Sequence, residues 1–252
     1  FLKKHCWTSV GFNFVVAAWS MQLAILITGF WHMALVEEEF HKITLDIPSL
    51  IIGDFGAAAV LITFGALLGK CDLPQLWVLA TLEIIFYALN EGICAGILQA
   101  VDMGGSMYVH TFGAYFGLAA SFHFKNKLAQ KSPAADENAG GYLSQTIAMV
   151  GTLFLFMFWP SFNGALASEN QQQRVIINTT LAITASTLAA AAICRIKFGM
   201  LEMEVILNAT LAGGVAVGSA SDLVVTAGIA MAIGCLAGII SAIGFIYLGP
   251  WL

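Results

Sequence analysis

The sequence predicts an all-α fold: a polytopic bundle of about eight transmembrane helices. Three observations predict it. The 252 residues are 59% hydrophobic and only 10% charged, with a mean hydropathy of +0.86, whereas a soluble domain carries roughly 25% charged residues. Eight apolar runs approach the roughly 20 residues that a helix needs to cross a bilayer. Those runs are continuous rather than alternating short segments, which selects helices over a barrel.

The runs cover residues 11–35, 48–70, 74–97, 105–124, 142–165, 175–194, 203–221 and 223–249. The first ends before Glu37-Glu38-Glu39, which belongs in water. Lys70 separates the second from the third. The fourth opens after Asp102-Met-Gly-Gly and contains His110. The loop 125–141, rich in Lys, Gln, Ser, Asp and Glu, is the only long polar segment and reads as a linker. The fifth run carries Trp159-Pro-Ser-Phe-Asn163. The sixth stops at Arg195 and Lys197. The seventh holds Gly213-Gly214, consistent either with a helix break or with close helix packing through small residues. The 25 glycines of the chain suit such packing.

Charge orients the bundle. If the eight runs alternate in direction, Lys3, Lys4, Lys70, Lys125, Lys127, Lys131, Arg195 and Lys197 share one side, and only Lys42 and Arg174 face the other. Positive residues collect in the cytosol. Both ends of the chain and the loop 125–141 are therefore expected there, in a multi-pass protein of the plasma membrane. Asn178-Thr-Thr and Asn208-Ala-Thr match a glycosylation pattern but fall inside runs, so modification is not expected.

Several functions are disfavoured. The net charge of −5 and scattered cations give no nucleic-acid patch. The five cysteines lack metal-ligand spacing. No cofactor motif and no catalytic set is present. The chain opens Phe1-Leu2-Lys3-Lys4 and closes Gly249-Pro-Trp-Leu252 on a hydrophobic run, so residues 1–252 are read as one transmembrane domain, incomplete at both ends.

Ionisable groups at membrane depth mark function by default. Glu91 lies near the outer end of the third run, and Asp102 at the outer mouth of the fourth. Asp54 and Phe55 lie in the outer part of the second run, and Phe162 near the outer end of the fifth. His110 follows Asp102 by eight residues, about 12 Å deeper if the segment is α-helical. Each has a plainer reading. Asp102 caps a helix, Glu91 sits in headgroup water, Phe55 and Phe162 face lipid or core, and His110 packs. Glu83, in the middle of the third run, is expected to face the bundle interior, protonated or paired, without an assigned role. His32 and His123, near run ends, are expected at the interface.

The chain resembles the Rh glycoprotein family of ammonium transporters along its whole length. The resemblance is carried by Ser9-Val-Gly-Phe-Asn-Phe14, Asn90-Glu91, Asp102 to Leu118, Gly151-Thr-Leu-Phe154, Trp159-Pro-Ser-Phe-Asn163 and Asn208 to Gly218. It implies a homotrimer with one pore per subunit and no enzymatic activity. By position, Glu91 and Asp102 resemble the residues that recruit ammonium. Phe55 and Phe162 resemble the stacked gate, and His110 resembles the first of two pore histidines. The second pore histidine of that family lies beyond the region resembling Phe245 to Leu252. A complete protein would, by resemblance, have twelve spans. The substrate implied is ammonium, passing as ammonia, with carbon dioxide left open. Two other readings stand beside it: a non-conducting Rh-type scaffold subunit, and a generic ion-coupled secondary transporter.

Overall fold

A computed structural model describes Lys3, residues 6–124 and residues 140–249. Among the described residues every regular element is helical. Most of the expected cytosolic loop 125–141 lies outside them, with only Gly140 and Gly141 described.

Each apolar run forms a helix: α1 (Cys6–His32), α2 (Ile47–Ala66), α3 (Leu73–Glu91), α4 (Phe112–His123), α5 (Tyr142–Gly164), α6 (Glu169–Phe198), α7 (Met203–Gly218) and α8 (Ala227–Ile243). Six are long and apolar enough to cross a membrane. The other two are shorter, with 12 residues in α4 and 16 in α7. A π turn at Ser106–Thr111 precedes α4. Further π turns continue α1 (Met33–Glu37), α3 (Gly92–Ile97) and α8 (Gly244–Leu248). Wide turns of this kind are rare and concentrate at functional sites.

Two helix starts are set by local chemistry. Asp46 accepts from Ser49 N at 2.8 Å while Ser49 Oγ accepts from Asp46 N at 2.8 Å. Asp72 and Gln75 form the same reciprocal pair, and Pro48 and Pro74 occupy the first turns. Each box satisfies two N–H groups that a helix start otherwise orphans. At the other end of α6, Gly199 takes φ +71°, a left-handed conformation natural for glycine, and stops the helix.

The described residues form two compact units, residues 1–101 with 107–141, and residues 102–106 with 142–252. In the first unit α1 packs on α2 and α3, and α2 packs on α3 and α4. Val16, Ala24, Val60, Phe64, Leu76, Ala80 and Ile84 form its core. In the second, α6, α7 and α8 pack on one another, with α5 against α6 and α7. Lipid offers little drive for burying apolar groups, so close van der Waals approach must hold such helices together. The glycines make that approach. A Cβ on Gly53 would stand 2.7 Å from Ile25, and one on Gly213 would stand 2.6 Å from the Ala182 carbonyl. Cβ atoms on Gly234 and Gly238 would fall on the backbones of Ala182 and Ser186. The helix α7 runs unbroken through Gly213-Gly214, so that pair serves packing and not a break. Large side chains such as Phe14, Leu188 and Leu236 are exposed on the protein, as surface suited to lipid.

Candidate functional site

The first unit holds Phe55, Glu91 and His110; the second holds Asp102 and Phe162. Glu91 is the last residue of α3, at the point where the helix widens into the π turn Gly92–Ile97. It lines a cavity of about 360 Å³ together with Thr28, His32, Glu37, His41 and Asp46. The Thr28 hydroxyl stands beside the Glu91 carboxyl. Three carboxyl groups around one small cavity favour a cation over an anion. The sequence pointed to Glu91 but not to Thr28, Asp46 and His41, which come from a different helix and from the connection 38–46. Glu37 and Asp46 bracket that connection, and its acidity was the signal.

The cavity lining includes a small ionisable cluster. His41 Nδ1 lies 3.0 Å from the Lys42 carbonyl, and Nε2 lies 2.6 Å from Glu37 Oε2. His32 Nδ1 lies 3.4 Å from the other Glu37 oxygen. The backbone bond to Lys42 and the Glu37 carboxylate together raise the His41 pKa above its usual 6.5. Phe55 and His110 do not line this cavity.

Phe55 is buried in α2 beside an exposed Asp54. His110 is half-buried in the π turn Ser106–Thr111. The α-helical premise of the depth expected for it is not met. Residues 102–105 are not helical, and residues 106–111 form a π turn, so the α-helical rise assumed from Asp102 does not apply. A short run without a clear apolar stripe hides such a change, because it has no helical periodicity to interrupt. Just past His110, Phe112 meets the Tyr87 ring edge-on at 5.9 Å and stacks with Phe116 at 5.8 Å.

In the second unit Asp102 is buried, and its Oδ1 accepts from Ser106 N at 2.8 Å, a local cap. Gly105 follows at φ +67°. The short segment is fastened to the end of α7. Met103 N donates to Ser219 O, Gly104 N to Gly218 O at 3.0 Å, and Ser106 Oγ to Val215 O at 2.5 Å. Phe162 lies in the last turn of α5, its ring 6.0 Å from that of Trp159. Its neighbour Asn163 is fully buried and donates to Thr179 Oγ1 at 3.0 Å and to the Gly214 carbonyl at 3.1 Å. A Cβ on Gly104 would overlap the Asn163 amide. The neighbourhoods of Asp102 and Phe162 thus meet at Asn163, to which the sequence had assigned no role. Its signal was an amide in an apolar run, expensive unless paired.

Asn178 is also engaged, donating to Ser221 O and Val224 O at 2.8 Å, and Asn208 donates to Glu204 O. Both potential glycosylation sites therefore lie within helices with their amides in use. Among the described residues no three His, Cys, Asp or Glu side chains gather as a metal site.

Helices that cross a membrane, joined by small-residue contacts and carrying polar side chains in their interior, define an integral membrane protein with a multi-span transporter fold. The profile of the Ammonium Transporter Family matches residues 1–252, and the chain belongs to that family. Proteins of the Rh type are among its relatives. It is 44% identical to ammonium transporter Rh type B of Danio rerio over 255 residues, covering all of this chain and 54% of the relative. It is 42% identical to ammonium transporter Rh type C of Xenopus tropicalis, covering 53% of that protein. The chain thus spans about half the length of the curated relatives it matches. The solved Rh50 of Nitrosomonas europaea, described as one of the Rhesus family of channels, superposes with a TM-score of 0.88 at 30% identity, over all of this chain and 65% of that one.

Proposed function

We propose that this chain is part of a transmembrane channel for ammonia, assembled as a homotrimer in the plasma membrane with both ends of residues 1–252 in the cytosol. Ammonium is recruited outside by Glu91 and Asp102. The ring faces of Phe55 and Phe162 form the gate and favour the cation through cation–π attraction. Loss of water disfavours the charged form, so the ion releases its proton before the apolar stretch and neutral ammonia passes His110. A neutral imidazole both donates and accepts hydrogen bonds along that stretch. Sodium and potassium are rejected because an apolar lining replaces none of their hydration.

The observation that carries this reading is His110 itself. It is a titratable, half-buried side chain in a π turn of an otherwise apolar helix, in a chain of the ammonium transporter family. The acidic cavity at Glu91 supports the recruitment step. The test is stopped-flow pH measurement on full-length protein in proteoliposomes, with ammonium and methylammonium. His110→Ala and His110→Asp should each change ammonia flux or selectivity while the trimer persists. Glu91→Gln should weaken apparent affinity more than the maximal rate. Unchanged flux and selectivity in both His110 variants, with assembly intact, would remove the main support.

A further inference from the structure

Glu83 is a buried titratable group that the proposed path leaves unused. It sits in mid-α3 with no exposed surface. Thr63 Oγ1 on α2 lies 2.6 Å from Glu83 Oε1 and 2.9 Å from the Gly113 carbonyl on α4. Three helices of the first unit therefore meet at one hydroxyl. Several other helical threonines stay within their own helix. Thr81, Thr146, Thr180 and Thr210 each donate to the carbonyl four residues earlier in their own helix. Thr63 reaches outward, and the absence of side chains at Gly113 and Gly117 lets α4 come close enough to be reached. A Cβ on Gly113 would stand 2.6 Å from the Ala59 carbonyl, and one on Gly117 would stand 3.0 Å from Thr63 Cα.

Counting protons locates one more. The Thr63 hydroxyl carries a single proton, and a carbonyl only accepts. If Glu83 were ionised it too could only accept, and two acceptors would compete for one hydrogen. It would also be a buried anion whose Oε2 has no hydrogen-bond partner, and the described residues give it no cationic partner. That arrangement is costly in a membrane interior. A protonated carboxyl removes the competition and the buried charge: Glu83 Oε1–H donates to Thr63, and Thr63 donates to Gly113.

We propose that Glu83 is a neutral carboxylic acid that acts as a positioning residue for His110. The chain Glu83 to Thr63 to the Gly113 carbonyl clamps α4 to α2 and α3 three residues beyond His110, and so sets the depth and rotation of the imidazole. This inference rests on the reading of His110 as a pore residue.

Infrared difference spectra and flux measurements on the full-length protein in proteoliposomes test it. Wild type minus Glu83→Gln should contain the carbonyl stretch of a protonated acid; a carboxylate band in its place overturns the proposal. Thr63→Val, which keeps the shape and removes the hydroxyl, and Glu83→Leu should each lower ammonia flux about five-fold or more, the scale of one lost buried hydrogen bond. Glu83→Gln and Thr63→Ser restore the donors and should stay within about two-fold of wild type. Wild-type flux in Thr63→Val, or a Gln variant as impaired as the Leu variant, overturns the positioning role. If the wild type itself conducts no ammonia, the channel reading fails, and amide exchange over residues 107–117 decides the clamp separately. Faster exchange in Thr63→Val than in wild type supports it, and equal exchange overturns it.

Discussion

His41 Nε2 lies 2.6 Å from Glu37 Oε2, joining the connection before α2 to the π turn that ends α1. The pair lines the same cavity as Glu91. The Lys42 carbonyl and Glu37 raise the His41 pKa above 6.5, so the protonated imidazole is the form the folded loop prefers. The stabilisation is therefore fully present below the unfolded value near 6.5 and is lost as pH rises through the raised folded value. In an NMR titration of the full-length protein, His41 should titrate above 6.5 and Glu37→Gln should move it back toward that value. Identical titrations in the two proteins would show that the pair is not formed.

The charge distribution predicts sidedness. Single cysteines placed in 36–47 and 166–173 should react with an impermeant reagent added to intact cells, and cysteines in 125–141 should not. Labelling of 125–141 from outside would reverse the orientation.

Asn163 is a fully buried polar residue of the second unit. Its amide bridges Thr179 and the Gly214 carbonyl and packs against Gly104. Asn163→Ala removes one partner from each bond and opens space beside the 102–106 segment. It should cost about 1–3 kcal/mol, read as a lowered melting temperature of the detergent-solubilised protein. Weaker apparent ammonium affinity should accompany it, because Asp102, proposed to recruit ammonium, lies on that segment. A variant with wild-type melting and affinity would refute the bridging role.

The contact of α8 with α6 leaves no room for a side chain. A Cβ on Gly234 would fall on the Ala182 backbone. Gly234→Val should therefore destabilise by about 1–3 kcal/mol or more through overpacking. Gly228, where an added Cβ would meet nothing within 4 Å, is the control and should tolerate Ala with little change in melting temperature.

The number and order of the helices were legible in the residues, because the length and hydropathy of a spanning segment are set by bilayer thickness and not by partners. All eight runs contain a helix, from α1 to α8, although the fourth becomes α-helical only at Phe112. Packing by small residues was legible too, since glycine is the residue that permits close backbone approach. The capping boxes at Asp46 and Asp72 were readable as Asp-x-x-Ser and Asp-x-x-Gln, yet the apolar pattern drew attention to the run centres instead.

What needed three dimensions was every relationship between helices. Glu83 stood out as a carboxyl in an apolar run, but its partner Thr63 is 20 residues away on another helix, and Gly113 is 50 residues from Thr63. Asn163 and Gly104 meet only because α5 and the 102–106 segment both pack near α7. The π turn that carries His110 was equally hidden, since six residues without a clear apolar stripe read the same whether the backbone closes every four residues or every five. Hydropathy decides that a segment enters the membrane. Which of its few polar atoms meet is decided by hydrogen bonds that must be satisfied inside the protein, because the lipid around it satisfies none.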